Sequence, residues 1–589
     1  SGIHSSAIGY GLGICVADIN LDGYPDIYIG NDFHENDYLY INQRNGTFAD
    51  ETTTRLMHTS QFSMGVDIAD ADNDGFPEIF SADMLPEDPY ILKRSLGEDA
   101  YDIFHEKLRN GYNYQYARNN LQWNRRNGLF SEVGLYAGVF ATDWSWAPLW
   151  FDFDNDGLKD LFVSNGIPKR MNDIDYINYV SSSEIQLKIR DKKMDETDMA
   201  LIEKFPQIKI PNKFFKNNGN LSFSDLGQVI ANNPSTYSNG SVYADFDGDG
   251  DLDVVVSNIN EPAILYRNET TKQKDSSFIE VKLKGPANNV NAAGSKLVLF
   301  TKDGTRLYEK TAVHGFLSSM EVPLHVGIKD ASIDSAFLVW PDNTYTMLDV
   351  NAAIGKQTAL TYSSGLPVFN YDLITTRYTN STTPLKDITS EVGIAHRHVE
   401  NNFVEFDREP LMPQMISTEG PALAIADING DGLDDIFIGS SKRAVGAVFV
   451  QQRNGRFEKL SQPALQLDST YEDVDAIWVD VNNDKHPDLV VASGGNEYYG
   501  KDIHLHPRVY LNDGTGKLSR LADAFQDIYM TASCVQAHDF NGDGFMDLFI
   551  GGRAVPWAYG QTPHSYLLQN DGTGRFKDVT QQIAPELSL

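Results

Sequence analysis

A nine-residue acidic motif that occurs seven times constrains this chain more than any other feature of its sequence. Every copy has Asp at position 1, Asp or Asn at position 3, Asp at position 5 and an acidic residue at position 9, and six copies have Gly at position 6. Self-similarity of this kind indicates a repeat architecture in which each copy belongs to one structural unit. The copies span residues 18–26, 70–78, 152–160, 245–253, 427–435, 480–488 and 539–547.

The alternation of oxygen-bearing side chains predicts that each copy binds a hard cation. Calcium takes about six to eight oxygen ligands, and Gly at position 6 lets the chain curl around the ion. We therefore predict one structural calcium ion per copy, up to seven in all, held by the side chains at positions 1, 3, 5 and 9 and by the main-chain carbonyl at position 7. In chain order these residues are Asp18, Asn20, Asp22, Tyr24 and Asp26; Asp70, Asp72, Asp74, Phe76 and Glu78; Asp152, Asp154, Asp156, Leu158 and Asp160; Asp245, Asp247, Asp249, Asp251 and Asp253; Asp427, Asn429, Asp431, Leu433 and Asp435; Asp480, Asn482, Asp484, His486 and Asp488; Asp539, Asn541, Asp543, Phe545 and Asp547.

The EF-hand calcium loop has the same opening spacing, but two features exclude it. An EF-hand needs Glu at position 12 and a helix on each side. Apolar and β-branched runs such as 254–256 follow the motif here, and strand-like runs such as 241–244 precede it. The pattern therefore predicts that each loop joins two buried strands. Position 12 is Ile29, Ser81, Val163, Val256, Ile438, Val491 or Ile550, and never Glu.

A second pattern, which follows most of the loops, predicts a β-hairpin. Apolar residues lead to Asn, a Gly-containing turn and often Phe, as in residues 38–50 (YLYINQRNGTFAD) and 566–578 (YLLQNDGTGRFKD). Such a segment is typical of two strands joined by a tight turn. Loop and hairpin together make an antiparallel sheet of about four strands, which is the size of a β-propeller blade.

These loops and hairpins resemble the FG-GAP or VCBS repeats of integrin-type β-propellers. Residues 278–362 resemble an ASPIC/UnbV domain, with a Gly-led strand pair, a Gly-x-x-Ser turn and a Trp-Pro hairpin at Trp340–Asn343. The combination is similar to cartilage-acidic-protein-like proteins and to surface proteins of Bacteroidota that have two propeller segments around this domain. The resemblance covers almost the whole chain. It implies secretion and calcium but no established activity.

The resulting fold prediction is a mainly β chain of propeller blades in two segments that flank a small β domain. We expect a first propeller segment at 1–275, with helical inserts near 84–118 and 170–205, and an ASPIC/UnbV-like domain at 276–365. A linker at 366–415 leads to a second, incomplete segment at 416–589. Because the chain starts at Ser1 without Met, we expect a processed chain or a fragment. The alternative is that the four and three motifs belong to one seven-bladed ring with the middle domain inserted.

The charge balance excludes several classes of partner. The chain carries 48 Lys and Arg against 82 Asp and Glu, a formal net charge of −34. Phosphate recognition needs a basic face, so nucleic acid and anionic lipid are excluded as partners. Two cysteines, Cys15 and Cys534, are too few for a disulfide framework or a cysteine metal site. No stretch is long and apolar enough to span a membrane.

The functional prediction is a non-enzymatic, calcium-stabilised module, extracellular or on the outer-membrane surface, that binds a protein or glycan. No catalytic constellation is recognisable in the sequence. Two alternatives remain: a structural scaffold for adhesion or envelope assembly, and an enzyme that acts on polysaccharides in a propeller funnel. A polysaccharide enzyme would need an acid/base pair outside the calcium loops.

Three finer expectations concern single side chains. The side chain of Asp251 should point to solvent, because only its carbonyl is needed for the metal. Lys485 stands where the other copies have Gly, so the loop at 480–488 should be the weakest site. The aromatic run at 144–150 (WSWAPLW) should fill the space between blades rather than stack on sugars.

Overall fold

The computed structural model describes residues 2–3, 9–33, 35–193, 206–270, 278–328, 332–378 and 385–588. The chain forms two compact units, unit 1 at Ser1–Ser381 and unit 2 at Thr382–Leu589. A strand ends at or just before each of the seven acidic loops, and a second strand begins at position 9 of each loop. The loops are therefore not EF-hands, and the prediction of a mainly β fold built from propeller blades is confirmed.

Unit 1 contains four blades, each an antiparallel sheet whose strands are joined in chain order. The first strands of consecutive blades lie side by side. Blades 1 to 3 have four strands, and blade 4 has three among the described residues. Blade 1 is Gly9–Ala17, Asp26–Phe33, Tyr38–Asn42 and Phe48–Asp50; blade 2 is Val66–Ala69, Glu78–Ser81, Asn120–Asn124 and Phe130–Glu132; blade 3 is Ser145–Phe151, Asp160–Asn165, Lys213–Asn217 and Phe223–Asp225; blade 4 is Ser238–Ala244, Asp253–Asn258 and Ile264–Tyr266.

The two larger sheets of the central β domain (residues 278–361) pack around a shared apolar core that includes Trp340. In one sheet Phe278–Lys284 pairs antiparallel with Leu324–Gly327 and parallel with Gln357–Thr361. The second sheet has the order Thr305–Glu309, Lys296–Thr301, Ile333–Val339 and Tyr345–Met347. At the hairpin Asn343 has a φ of 64°, the left-handed conformation expected of a residue in the place of Gly.

A hairpin of the central domain, Val313–His314 with Ser318–Ser319, inserts among the first strands of the blades. Gly315 bridges to Val66 of blade 2, and His314 Nδ1 lies 2.8 Å from Asp67 Oδ1, both side chains being buried. The Phe316 ring contacts the Trp146 ring of blade 3 at 4.6 Å. The central domain and the four blades therefore share one buried interface inside unit 1.

Unit 2 contains three four-stranded blades with the same topology. Their apolar cores lie between consecutive blades, where Val490 of blade 6 and Val535 of blade 7 are fully buried. Blade 5 is Leu423–Ala426, Asp435–Ile438, Ala447–Gln451 and Phe457–Leu460; blade 6 is Asp473–Val479, Asp488–Ser493, Arg508–Asn512 and Leu518–Arg520; blade 7 is Thr531–His538, Asp547–Ala554, Tyr566–Asn570 and Phe576–Asp578.

Helices are short and lie outside the blade sheets. Four of them fall in the two inserts where the sequence predicted helices, although residues 194–205 of the second insert lie outside the described residues. Within the part of the chain that the structure describes, no helix is both long and apolar enough to cross a membrane. A parallel strand pair, Thr59–Ser60 with Gln115–Tyr116, accompanies the first insert. The α-helices are Thr52–Arg55, Pro89–Leu92, Tyr101–Arg109, Gly134–Ala137, Ile174–Val180, Ser183–Arg190, Val350–Ala353, Asp372–Thr375, Thr389–Val392, Pro463–Leu467 and Thr580–Ile583, and the 3-10 helices are Thr376–Tyr378, Glu405–Asp407, Ile503–Leu505 and Pro585–Ser588.

The aromatic run in blade 3 is part of the core, as the sequence predicted. Trp144 and Trp150 are 6% and 3% exposed and pack with residues of blade 2, and Trp146 packs partly buried against the same cluster. A register shift between Ser145 and Pro148 interrupts the strand between the tryptophans. The hydrophobic area that these side chains bury stabilises the contact between blades 2 and 3.

Candidate metal sites

The first Asp of each loop organises the loop around its own carboxylate. In blade 4 the Oδ1 atom of Asp245 accepts hydrogen bonds from the Gly248 and Asp249 N–H groups, at 2.7 and 3.2 Å, and Oδ2 accepts one from Gly250 N–H at 3.0 Å. The loops of blades 5 and 7 repeat these bonds from Asp427 and Asp539. The position 6 Gly has a φ between 84° and 89° in all six loops that have it, so a residue without Cβ fits there best.

The position 9 carboxylate joins the loop to the third strand of its blade. Asp488 Oδ1 accepts a hydrogen bond from Asn512 N–H at 2.8 Å, and Asp547 accepts one from Asn570 in the same way. The amide side chain of each Asn then donates to the position 2 carbonyl of the preceding blade's loop, at 2.8 Å to Ile428 and 2.9 Å to Val481. The Asn of the hairpin pattern therefore links consecutive metal loops, a role that the sequence did not reveal.

Three of the seven loops bring at least three carboxylates within ligand distance of one another, as a metal ion requires. In each group one oxygen per residue lies within 4.8 Å of the others. The other four loops have Asn at position 3, which offers an amide oxygen instead of a carboxylate. The structure thus brings together three of the four predicted side-chain ligands in each of these loops: positions 1, 3 and 9 in blades 2 and 3, and positions 1, 3 and 5 in blade 4. Asp74, Asp156 and Asp253 are not part of these groups. The three groups are Asp70, Asp72 and Glu78; Asp152, Asp154 and Asp160; and Asp245, Asp247 and Asp249.

Burial, followed by the charges of neighbouring carboxylates, raises the pKa values of acidic residues in the loops of blades 2 and 3. Burial, followed by the charges of Asp72 and Asp70, raises the pKa of Asp74 to about 8. Burial and the neighbouring Asp156 raise the pKa of Asp152 to about 7. Each loop would therefore keep a proton at neutral pH unless a cation replaces it, which is the electrostatic environment of a cation site.

The central domain contacts the first Asp of the loops in blades 1, 2 and 3. Lys296 Nζ lies 3.2 Å from Asp18 Oδ2, and Leu307 N–H donates to Asp70 Oδ2 at 2.7 Å. Gly327 approaches Asp152 so closely that a Cβ atom there would lie 2.0 Å from Asp152 Oδ2. The central domain therefore packs against these three loops, and the first Asp of each loop is buried.

Basic side chains also form ion pairs with carboxylates at position 3 or position 5 in all four loops of unit 1. Two of these ion pairs join Arg44 to Asp22 at 3.0 Å and Arg267 to Asp247 at 3.1 Å. In unit 2, none of the ion pairs among the described residues involves a loop carboxylate. The other two loops of unit 1 pair Asp74 with Arg126 and both Asp154 and Asp156 with Lys216.

One of the finer expectations was wrong. The Asp251 side chain does not point to solvent: it is fully buried, and its Oδ1 accepts a hydrogen bond from Asn155 Nδ2 at 2.9 Å. Asn155 belongs to the loop of blade 3, so Asp251 connects two neighbouring loops. Lys485 does adopt the left-handed backbone of the Gly that it replaces, with a φ of 73°. The predicted rank of this loop stays a prediction.

Family models match segments of the blades in both units and the central domain. A model described as FG-GAP-like repeat matches residues 10–81, 208–256, 427–491 and 480–550. A model described as ASPIC and UnbV matches residues 285–366. The boundaries of the propeller segments and the linker stay a prediction.

Two curated proteins that this chain resembles are both named cartilage acidic protein 1. Cartilage acidic protein 1 of Mus musculus is 25% identical over 339 residues, which cover 56% of this chain and 42% of the relative. Cartilage acidic protein 1 of Homo sapiens is 24% identical over 357 residues, which cover 59% of this chain and 43% of the relative. The chain therefore spans less than half the length of the curated relatives that it matches.

Two solved structures are similar over most of the chain, with low TM-scores. One is an Agrocybe aegerita lectin that recognises non-reducing terminal N-acetylglucosamine, 14% identical, covering 97% of this chain and 88% of the lectin, with a TM-score of 0.20. The other is the V. cholerae biofilm matrix protein Bap1, 9% identical, covering 96% of this chain and 78% of that chain, with a TM-score of 0.21. Scores this low support no argument about function.

Proposed function

Because this chain is an FG-GAP-repeat protein with an ASPIC/UnbV domain, we propose that it is a calcium-stabilised, non-enzymatic binding module that works outside the cell or on its surface. The observation that carries the proposal is the convergence of carboxylates in loops of one common geometry. Each loop joins two strands of a blade, so an ion bound there stabilises the blade rather than taking part in chemistry.

Calcium is the cation that suits these ligands best. The candidate ligands are carboxylate, amide and carbonyl oxygens, which favour hard cations such as Ca²⁺ over the zinc and copper that prefer His and Cys. Ca²⁺ accepts irregular geometry and ligands at unequal distances, whereas Mg²⁺ demands a nearly ideal octahedron. In this proposal positions 1, 3, 5 and 9 and the position 7 carbonyl hold the ion in each of the seven loops.

An extracellular location follows from the same proposal. Extracellular calcium modules bind with dissociation constants of about 10⁻⁴–10⁻³ M, which millimolar calcium outside the cell fills and cytosolic calcium does not. With its ions bound, the surface stays acidic. It would therefore favour neutral glycans or basic and neutral protein surfaces over acidic polymers.

The calcium part of the proposal is tested by thermal unfolding of the chain in calcium, magnesium and EDTA. Calcium that binds only the folded state raises the melting temperature by mass action. We expect a higher melting temperature in calcium than in EDTA and a smaller rise in magnesium. Equal melting temperatures in all three solutions would show that the loops are acidic turns without metal.

The binding part is tested on a glycan array and on immobilised extracellular matrix proteins, each with calcium and with EDTA. We expect saturable, calcium-dependent binding in at least one of the two assays. A parallel assay for reducing ends released from polysaccharides separates binding from hydrolysis. Steady release of new ends by the chain would contradict the non-enzymatic role.

A further inference from the structure

An exposed tryptophan in unit 2 has a left-handed backbone conformation. Trp557 lies in the loop between the second and third strands of blade 7, and its φ is 64°. Bulky side chains rarely adopt this left-handed conformation, which costs free energy. Strained residues of this kind cluster at ligand sites, because the surrounding structure holds them there for a purpose other than stability.

Hydrogen bonds to a single buried residue hold Trp557 in place. Its main-chain N–H donates to Asn496 Oδ1 at 3.1 Å, and its indole Nε1 donates to the Asn496 carbonyl at 3.2 Å. Asn496 is 2% exposed and donates from Nδ2 to Glu409 at 2.8 Å. Both N–H groups of Trp557 therefore donate to the buried Asn496, and these two hydrogen bonds fix the orientation of the indole ring.

The indole ring belongs to an aromatic stack that stays open to solvent. The Tyr499 ring lies 3.9 Å from the Trp557 ring with an angle of 24° between the planes, and Arg408 lies 4.6 Å from the same indole. Trp557 is nevertheless 45% exposed and Tyr499 58% exposed. We call this pair the Tyr499–Trp557 platform.

The loop that carries Trp557 also lines a groove, through residues on both sides of Trp557, although neither platform ring lines it. It lies between residues 412–416 and 553–563 and encloses about 350 Å³, within the range of small-molecule sites. Met412, Ile416 and Val555 supply apolar surface, and Gln414 and Gln561 supply amide groups. Tyr559, which also lines the groove, donates its main-chain N–H to Glu409 at 2.9 Å, so groove and platform share one support.

Local charges around the groove are paired. Arg553 forms a bidentate ion pair with Glu419, with N–O distances between 2.6 and 2.9 Å, and Arg408 pairs with Glu409 at 2.9 Å. These ion pairs therefore leave no unpaired charge of their own to attract an ionic ligand. The formal charge of −34 on the whole chain further disfavours an acidic ligand. The site favours a neutral ligand with both apolar faces and many hydroxyl groups.

We propose that the Tyr499–Trp557 platform and the adjacent groove bind neutral carbohydrate. A pyranose ring presents a face of C–H groups to an aromatic ring, and its hydroxyls can both donate to and accept from the amides of Gln414 and Gln561. The exposed ring of Tyr499, which the stacked indole holds in place, supplies the stacking surface, and the groove has room for a short saccharide. This inference rests on the proposed binding role and assigns it to one site and one class of ligand.

The test compares Trp557→Gly with the wild-type chain on an array of neutral and acidic oligosaccharides. Glycine accepts the left-handed backbone freely and keeps the main-chain N–H that donates to Asn496, so the variant should stay folded, with a melting temperature somewhat below that of wild type because the contacts of the indole are lost. Loss of the aromatic face should weaken binding to neutral oligosaccharides roughly tenfold. Tyr499→Ala should weaken binding in the same direction, and Tyr136→Ala, which removes a 74% exposed ring in unit 1, should leave it unchanged.

Each outcome decides one part of the argument. Weaker glycan binding by Trp557→Gly and by Tyr499→Ala, with both variants folded at the temperature of the assay, supports the site. Unchanged glycan binding by both platform variants overturns the site while the binding module stands. Binding of the wild type to matrix proteins but to no neutral glycan overturns the carbohydrate assignment alone. Failure of the wild type to bind in any assay overturns the proposed function as well.

Discussion

The acidic loops of unit 1 and unit 2 share one nine-residue pattern but lie in different electrostatic surroundings. In blades 1 to 3 the first Asp is buried, and the central domain or a basic side chain touches every loop. In unit 2 the first Asp of each loop is partly exposed, and the described residues place no Lys or Arg in an ion pair with the loops. The same local pattern is thus partly neutralised by basic side chains of the protein in unit 1, whereas in unit 2 the described residues supply no such cation to the loops.

The turns of the hairpins sharpen this difference. Arg44 and Arg126 of unit 1 follow the hairpin Asn and bind the position 5 carboxylate. At the equivalent places in blades 6 and 7 stand Gly514 and Gly572, which carry no charge. The residues before them, Asp513 and Asp571, accept hydrogen bonds from Thr515 and Thr573. These acids add negative charge beside the loops, so unit 2 should depend more strongly on bound cations.

The largest expected effect is therefore an unequal response to calcium removal. When EDTA removes calcium, peptides that cover 427–435, 480–488 and 539–547 should lose more of their protection from hydrogen exchange than those that cover 70–78 and 152–160, where basic side chains and the central domain still contact the carboxylates. A site saturated at a hundred times its dissociation constant contributes about 2.7 kcal/mol, so emptying three sites affects a whole unit. Exchange mass spectrometry on the full chain measures this. An equal or larger loss of protection in unit 1 would contradict the comparison.

A second prediction removes the protein's own cation from blade 1. Lys296→Met leaves the buried Asp18 and Glu309 without their ammonium partner, because Lys296 lies 3.2 Å from the first and 3.8 Å from the second. Breaking such a buried pair costs about 3 kcal/mol. Thermal unfolding should show a marked loss of stability, whereas Lys282→Met, an exposed site in the same domain, should show little. Full recovery of Lys296→Met by excess calcium would mean that the ion, not Lys296, is what blade 1 requires.

A third prediction concerns pH in unit 2, away from the metal loops. Burial, together with the charges of Glu400 and Asp473, raises the pKa of Glu472 to about 8. The folded chain keeps this proton while the unfolded chain releases it near pH 4.5. Stability should therefore fall as the pH rises from about 5 to 8 and level off above that. Glu472→Gln should flatten the dependence of the melting temperature on pH, measured at saturating calcium. An equally steep fall in the variant would assign the effect to another group.

The smallest expected effect distinguishes loops within unit 2. Lys485→Gly relieves a left-handed backbone with a φ of 73° and removes a positive charge, so calcium should bind more tightly by roughly 1 kcal/mol. Competition with a calcium chelator dye measures the change. Conversely, Asp249→Ala in unit 1 should lower the melting temperature more than Asp484→Ala in unit 2. If Lys485→Gly binds calcium no better, the loop at 480–488 gains a ligand from outside its nine residues.

Local sequence signals accounted for much of the fold and of the candidate sites. The alternation of Asp and Asn with a following apolar run located all seven loops and the strands around them, because both features arise from neighbouring residues. The hairpin Asn was visible too, although its link to the preceding loop was not. Nothing near Lys296 or Trp557 marked them, since their roles come from contacts with Asp18 and Asn496, far away in the chain.

What the sequence determined by itself is the repeated unit: loops of acidic residues, the strands that flank them and a spacing of oxygen atoms that suits a hard cation. These depend on spacing, on the positive φ of one Gly and on the alternation of buried and exposed residues, all of which are short-range. Only the tertiary structure decided which loops are covered and which are left to the solvent. That decision depends on docking of the central domain, where Lys296, Leu307 and Gly327 meet three separate loops. Such contacts join residues that are far apart in the chain, so the local spacing of residues along the sequence does not predict them.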